Sequence, residues 1–474
     1  AALAGDTTTT TAATDDTEVM AEPQNIAELE ALWATNRQKV IDDISSNGYG
    51  MTDGVLTGPG GFTIDTADCP ADWSDTEGVT ADSVLLGNTI ALSGNLAAYG
   101  NITAGMQAYF DYVNANGGIN GIMIEAIVKD DAYVATQTIE LVDQLLQSEK
   151  PFSIQTLGSP NSLAVYDTMN TNCVPHPMAM TGHPAWGDPV GHPWTTGNQM
   201  SYATEAILWG AWIKNNMADQ LPVTVAGLVM DNDFGLAYED GMKTYAEANP
   251  DVVSDFIVVR HDPAAPTVTN EMTTIAAANP DVFISMTAGN PCLLAVEETA
   301  RSGLKDSGAV LFAPSVCKDA TSFMIPAGDA GDGFYIVGGG LKTCTDPQYA
   351  DEPYQMFVHE TLTAAGLDWA AQGNFCTGFE LFAWPLVESL RVAAELEGGL
   401  TRTNFILAQR TLAVDAPFML DGITYAMSGN DDAYFIEGSD IAQYDAAAES
   451  WIQQGPVVDL NGSSPNCSWS DTGC

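Results

Sequence analysis

From Ser83 onward, short apolar runs alternate with stretches whose apolar residues recur every three to four positions. Residues 83–92 form an apolar run with no interior proline, which Ser93-Gly94-Asn95 ends with turn-forming residues. Met106, Tyr109, Phe110 and Val113 then fall at i, i+3, i+4 and i+7, one face of a helix. Gly117 and Gly118 stop that helix, because glycine reaches the left-handed conformation a C-cap needs. Residues 122–128 read as a second strand, closed by Asp130 and Asp131. Strand, helix and strand in this order imply a right-handed crossover and parallel pairing, with a small-molecule pocket at the carboxyl end of the first strand.

The alternation continues. Strands are expected at 83–92, 122–128, 152–157, 177–180, 223–230, 254–259, 281–286, 309–313 and 333–338. Helices fit at 104–116, 134–149, 161–171, 199–217, 236–248, 267–278, 291–303 and 317–325. Two longer helices follow at 352–365 and 374–397, then short β-like pieces at 422–427 and 433–436. This is an α/β pattern with parallel sheets. It has too many strands for one doubly wound unit and no eightfold repeat, so two lobes in tandem fit best. Pro- and Gly-rich stretches near 192–197, 338–340 and 415–422 are expected to cross between them as a three-segment hinge, whose cleft is a standard ligand position. The expected division is 81–196 plus 339–418 for the first lobe and 197–338 plus 419–452 for the second. Residues 1–80 precede them as a polar tether, an amphipathic helix at 26–47 and an irregular stretch, and 453–474 form a tail.

Charge narrows the partners. The 474 residues carry 62 acidic against 14 basic side chains, a net charge of −48. Such a surface repels phosphate backbones and anionic headgroups, so no nucleic acid is expected, and it reads as a solvated, salt-tolerant exterior. The eight cysteines form no CxxC pair and match no zinc spacing, which fits an exported, oxidised protein. The expected bridges are Cys292–Cys317, Cys344–Cys376 and Cys467–Cys474. The threonine-rich start reads as a flexible tether, and a periplasmic or cell-surface monomer, lipid-anchored through its N-terminus, is expected.

Signals for chemistry are weak. GxSxG, HExxH and GxxxxGK[ST] are absent. Three of the five histidines, His176, His183 and His192, each precede a proline, at spacings that do not align them as metal ligands. Asp231-Asn232-Asp233 lacks the glycine and distal glutamate of a calcium loop. No metal or cofactor is expected. Trp209 and Trp212 sit in an apolar helix and read as core, whereas Trp186 and Trp194 lie in a Gly/Pro loop.

A family likeness rests on an ordered set of segments: SGNLAAYG (93–100), NANGGINGIMIEAIVKDD (114–131), LVDQLL (141–146), LGSPNS (157–162), AMTGHP (179–184), GLVMDNDFGLAYEDGM (227–242) and ETARSGL (298–304). Together they resemble the type I periplasmic solute-binding proteins, nearest the branched-chain amino-acid (Leu/Ile/Val) binding group of ABC importers. The resemblance implies two Rossmann-like lobes that close on a small organic solute and deliver it to a membrane ABC permease, without catalysis. It also implies contacts from Ser93 and Tyr99, Ser159, Ala179 and Thr181, Phe234, Asn290 and Ser315, with His183 at the pocket edge. Two departures from the amino-acid binders stand out. Ser315 occupies the place of the acidic group that holds the ligand ammonium, and TAGNPC (287–292) lacks the expected tyrosine. An amide, carboxylate or aromatic solute fits at least as well, with Trp186 and Phe234 available for stacking. Two alternatives remain: an exported amide hydrolase using Ser159 and His183, and a ligand-sensing receptor domain.

Overall fold

The structure, a computed structural model, describes residues 23–464. The threonine-rich start and the Cys467–Cys474 pair lie outside the described residues. The first helix, α1 (Ile26–Asn47), begins where the Asn25 side chain accepts from Glu28 N and ends at Gly48 in the left-handed conformation. Its apolar stripe packs on two later helices: Trp33 meets Tyr354 and Trp384 edge-on, with ring centroids 6.1 and 5.5 Å away. A small antiparallel sheet, β1 (Gly50–Thr52), β2 (Val55–Thr57) and β3 (Thr63–Asp65), occupies the stretch expected to be irregular.

The first parallel sheet has the order β5-β4-β6, from β4 (Ser83–Ile90), β5 (Met123–Asp130) and β6 (Ser153–Thr156). Bonds from Ile154 N to Pro175 O and from Met180 N to Thr156 O extend it to β7 (His176–Ala179), which pairs with β8 (Thr195–Gly197). Helices α2 (Asn101–Ala115), α3 (Ala135–Gln144) and α4 (Ser159–Thr171) make the crossovers. After α5 (Tyr202–Asn216) the chain builds a seven-stranded sheet ordered β10-β9-β11-β12-β13-β14-β15. Its parallel part is β9 (Val223–Met230), β10 (Val253–His261), β11 (Val282–Met286), β12 (Val310–Ala313) and β13 (Tyr335–Val337). Helices α6 (Asp233–Ala248), α7 (Thr269–Ala278), α8 (Asn290–Arg301) and the short α9 (Ala320–Phe323) connect these strands. The fold is thus mixed α/β with parallel sheets.

After β13 the chain returns to α2 with α10 (Pro353–Ala364), α11 (Asn374–Thr377), α12 (Trp384–Glu395) and α13 (Arg402–Thr411). It then rejoins the second sheet through antiparallel β14 (Ile441–Asp445) and β15 (Ser450–Gln453). The β-like pieces expected at 422–427 and 433–436 make no ladder. Only the isolated bridge Ala413↔Ala426 forms in the first, and the strands come later. The helix expected at 317–325 shrinks to α9, because Asp319 starts it by accepting from Thr321 N. The helix expected at 374–397 is interrupted by a π-helical stretch, Gly378–Ala383, ahead of Pro385 in the first turn of α12.

Disulfides join Cys292 to Cys317 and Cys344 to Cys376, as expected, and Cys69 to Cys173, which ties the N-terminal extension to the first sheet. Buried Arg402 adds a polar tie, donating from Nε to Phe152 O at 3.0 Å and from Nη2 to Pro151 O at 2.7 Å.

Candidate functional site

Loops at the carboxyl ends of parallel strands from both sheets converge on one cavity. The loop after β4 folds into a 3-10 turn, Ala97–Gly100, that delivers Tyr99. Its hydroxyl accepts from Gly289 N at 2.9 Å and donates to Val316 O at 3.1 Å, both in loops of the second sheet. In the same loop, Asn95 Nδ2 donates to Pro263 O at 2.9 Å, and Asn95 O accepts from Asn290 N at 2.9 Å. Gly289 sits at φ 67° with room only for hydrogen, since a Cβ there would lie 2.7 Å from Asn95 O. The first sheet's loop is thereby bonded across the top of the cavity to backbone groups of the second.

The cavity encloses about 1030 Å³, its open mouth included. Leu96, Tyr99, Tyr133 and Met180 line it from the first sheet, and Tyr202, Phe234 and Ser315 from the second. Its inner end runs beneath α2, where residues 341–345 and 373–382 form the wall.

Ser315 has its polar groups committed. Its N–H donates to Glu205 Oε1 and its hydroxyl to Glu205 Oε2, both at 2.7 Å, and Tyr238 OH donates to Oε2 at 2.7 Å. Glu205 reaches this point from α5 and is fully buried; burial pushes its carboxyl up to about 7, against the downward pull of those hydrogen bonds. With its one hydrogen bond donated to Glu205, the Ser315 hydroxyl has only acceptor capacity left for the cavity.

Ser159 and Thr181 lie behind the wall. Their hydroxyl oxygens are 2.7 Å apart, both residues are buried, and Thr181 Oγ1 also donates to Tyr202 OH at 3.3 Å. In front of them Gly158, at φ 95°, packs bare backbone on the Tyr133 ring, and a Cβ would come within 2.2 Å of it. Ala179 is buried with Tyr166, Ala185 and Trp186. His183 Nδ1 accepts from Ala185 N at 3.1 Å, and burial pushes its ring down to about 3, so it is neutral. Trp186 is likewise internal, donating from Nε1 to Thr181 O at 2.9 Å. Ser93 is exposed near Asp130, and Asn290 is exposed at the start of α8.

The structure therefore gathers Tyr99, Phe234 and Ser315 on the cavity and sets Ser159 and Thr181 one layer back. It places Ala179 and His183 deeper and Ser93 and Asn290 on the outer rim. Among the described residues no group of three or more His, Cys, Asp or Glu is placed to hold a metal ion. Sequence reasoning missed Tyr133, Tyr202, Glu205 and the whole inner end. The available signal was a lone carboxylate in each of two apolar helical runs, TEAILW around Glu205 and FELFAW around Glu380.

Residues 83–449 match the family described as periplasmic binding protein. No curated protein matches. Among solved structures, a fatty acid ABC transporter substrate-binding protein from Thermomonospora curvata is 19% identical, with 87% of this chain and 99% of that one covered at a TM-score of 0.70. A branched chain amino acid ABC transporter from Thermus thermophilus, solved with bound valine, is 16% identical over 80% of this chain and 97% of that one, at 0.70. A solute binding protein of an ABC transporter from R. palustris, in complex with 4-hydroxybenzoate, is 17% identical over 82% and 100%, at 0.66. At these identities the likeness shows the fold alone.

Proposed function

The chain belongs to the periplasmic binding protein family, and on that premise we propose that it is the extracytoplasmic solute-binding component of an ABC transporter. A small organic solute enters the cavity between the two sheets, the lobes rotate closed, and the closed form docks on a membrane permease. Closure requires only that the solute bind the closed state better than the open one. The observation that carries this reading is the Tyr99 hydroxyl bridging to Gly289 N and Val316 O over the cavity, which joins loops of the two sheets. Tyr99, Phe234 and Ser315 act as the solute-facing residues, and Ser159 with Thr181 shapes the wall behind them. The protein works as a monomer.

The solute is not an ordinary α-amino acid. Of the three carboxyl groups at the cavity, Glu205 accepts from Ser315 and Tyr238, Asp319 accepts from Thr321 and Ser322, and burial pushes Glu380 up to about 8, so that it is protonated at neutral pH. A buried ammonium would find no free anionic partner here. Proteins of the same fold include ones for a fatty acid, for 4-hydroxybenzoate and for valine, so the choice of an organic acid rests on the carboxyl groups of this cavity.

A thermal-shift screen of a metabolite library, with native mass spectrometry on the hits, tests this. One solute class should raise the melting temperature and add its unchanged mass at one copy per chain. Absence of any hit, or conversion of a hit to product, would overturn the binding reading.

A further inference from the structure

The inner end of the cavity holds polar groups that the protein itself leaves unused. Asn374 is 4% exposed and lines the cavity, yet its Nδ2 has no partner within the protein. Glu380, also 4% exposed, lies in the Gly378–Ala383 π-helical stretch, with Oε1 accepting from Gln355 Nε2 at 2.8 Å. Two of the chain's 14 basic side chains, Lys318 and Lys342, line this same cavity. Lys318 Nζ donates to Leu341 O at 2.7 Å and lies 3.4 Å from Asp440, and Lys342 Nζ donates to Glu352 at 2.7 Å. Each lysine is thus paired with a carboxylate, so the wall offers donors and not net charge. Asp319 has both oxygens engaged by Thr321 and Ser322. Burial pushes Glu380 up to about 8, so at neutral pH it is a proton donor.

This is a wall with hydrogen-bond donors in excess: Asn374 Nδ2 is unpartnered, and Lys342 Nζ keeps donors beyond the one given to Glu352. The loops that resemblance assigns to a ligand carboxylate offer less, because the Ser159 hydroxyl donates to Thr181 and the Thr181 hydroxyl to Tyr202. The remaining walls are apolar, with Leu96, Ile102, Phe234 and Phe418 among them. Resting on the solute-binding reading, we propose that the solute is an amphiphilic monocarboxylic acid, its carboxylate seated at Asn374, Glu380 and Lys342 and its alkyl or aryl body along the apolar wall. Asn374 and protonated Glu380 donate hydrogen bonds to the carboxylate, and Lys342, paired with Glu352, adds a charge-assisted one from a remaining N–H. No bond is made or broken.

The test is calorimetric titration of the full chain with octanoate and with 3-phenylpropionate, against octanamide and octylamine. An acid should bind at least tenfold tighter than the amide, and the amine not at all. Whichever acid binds identifies the body as alkyl or aryl. Asn374→Ala and Lys342→Gln should each weaken the acid tenfold or more without moving the amide, and two variants guard against one that fails to fold. Glu380 is faced by Lys342, Glu352 and Tyr354 among titratable groups. Acid affinity should therefore fall by up to about tenfold per pH unit above about 8, where Glu380 ionises. Glu380→Gln, which keeps a donor, should bind at pH 7 and lose that slope. Acids that bind both variants unchanged would overturn the seat, and failure of both acids beside a library hit would overturn the substrate class. Both outcomes leave the solute-binding reading standing, whereas no hit of any kind removes both.

Discussion

Replacing Tyr99 by phenylalanine removes one oxygen and, with it, both hydrogen bonds that it makes across the cavity, to Gly289 N at 2.9 Å and Val316 O at 3.1 Å. Each such bond has a net worth of roughly 0.5–1.5 kcal/mol, and a buried amide left unpaired costs about 1–3 kcal/mol. Opening lets Gly289 N and Val316 O reach water, so the loss falls on the closed form alone. About 2–3 kcal/mol is the working figure. At about 1.4 kcal/mol per factor of ten, the closure constant should fall roughly 30- to 150-fold. Apparent affinity falls with the closed fraction it depends on. The ring stays in place against Phe323, whose centroid is 6.3 Å away, so fold stability should change little. The assay pairs calorimetric titration of the screened solute with small-angle scattering with and without it. Affinity within threefold of the parent and an unchanged compaction on binding would refute the latch.

Three further outcomes are expected. Between pH 6.5 and 8 the melting temperature should fall as pH rises, because unfolded glutamate ionises near 4.5 while Glu380 holds its proton to about 8 and Glu205 to about 7. The folded state binds more protons across that window, so stability is lost with rising pH, and Glu380→Gln should flatten the slope in calorimetric scans. Replacing Cys69 and Cys173 together by serine opens a bridge of sequence separation 104, which the chain-entropy model values at about 4–5 kcal/mol; a melting temperature within a degree of the parent would contradict it. Raising salt from about 0.1 to 1 M shortens the screening length from roughly 10 to 3 Å and should raise the melting temperature, since a net charge of −48 repels itself.

The fold was legible because its signals are local. Strand, turn and helix at 83–116 each announce themselves by periodicity and glycine, and α1 falls on the residues its apolar stripe marks. The pattern failed where tertiary contacts decide. Residues 422–436 have strand-like composition but run as an irregular connection, while the less apolar β14 and β15 pair because the edge of β13 is there to receive them. The three-stranded sheet at 50–65 was hidden by its glycines, which its tight turns require.

The site was legible only as positions. The loop reading APSVCK lacks a carboxylate, yet the structure brings one to Ser315 from α5, 110 residues earlier, so an acid absent from the motif is present in the site. Its effect is the reverse of an exposed acid. Glu205 accepts the hydrogen bond that the Ser315 hydroxyl donates and leaves acceptor capacity at that end of the cavity, while Asn374 and protonated Glu380 present donors at the other. A cavity polarised in this way orients what it holds. The acceptor end of a solute goes inward beneath α2, and a hydroxyl donor at the far end of the same molecule would be met by Ser315. No single segment carries that polarity, because it arises from side chains on α5, α11 and the π-helical stretch that meet only after the chain has crossed between its sheets.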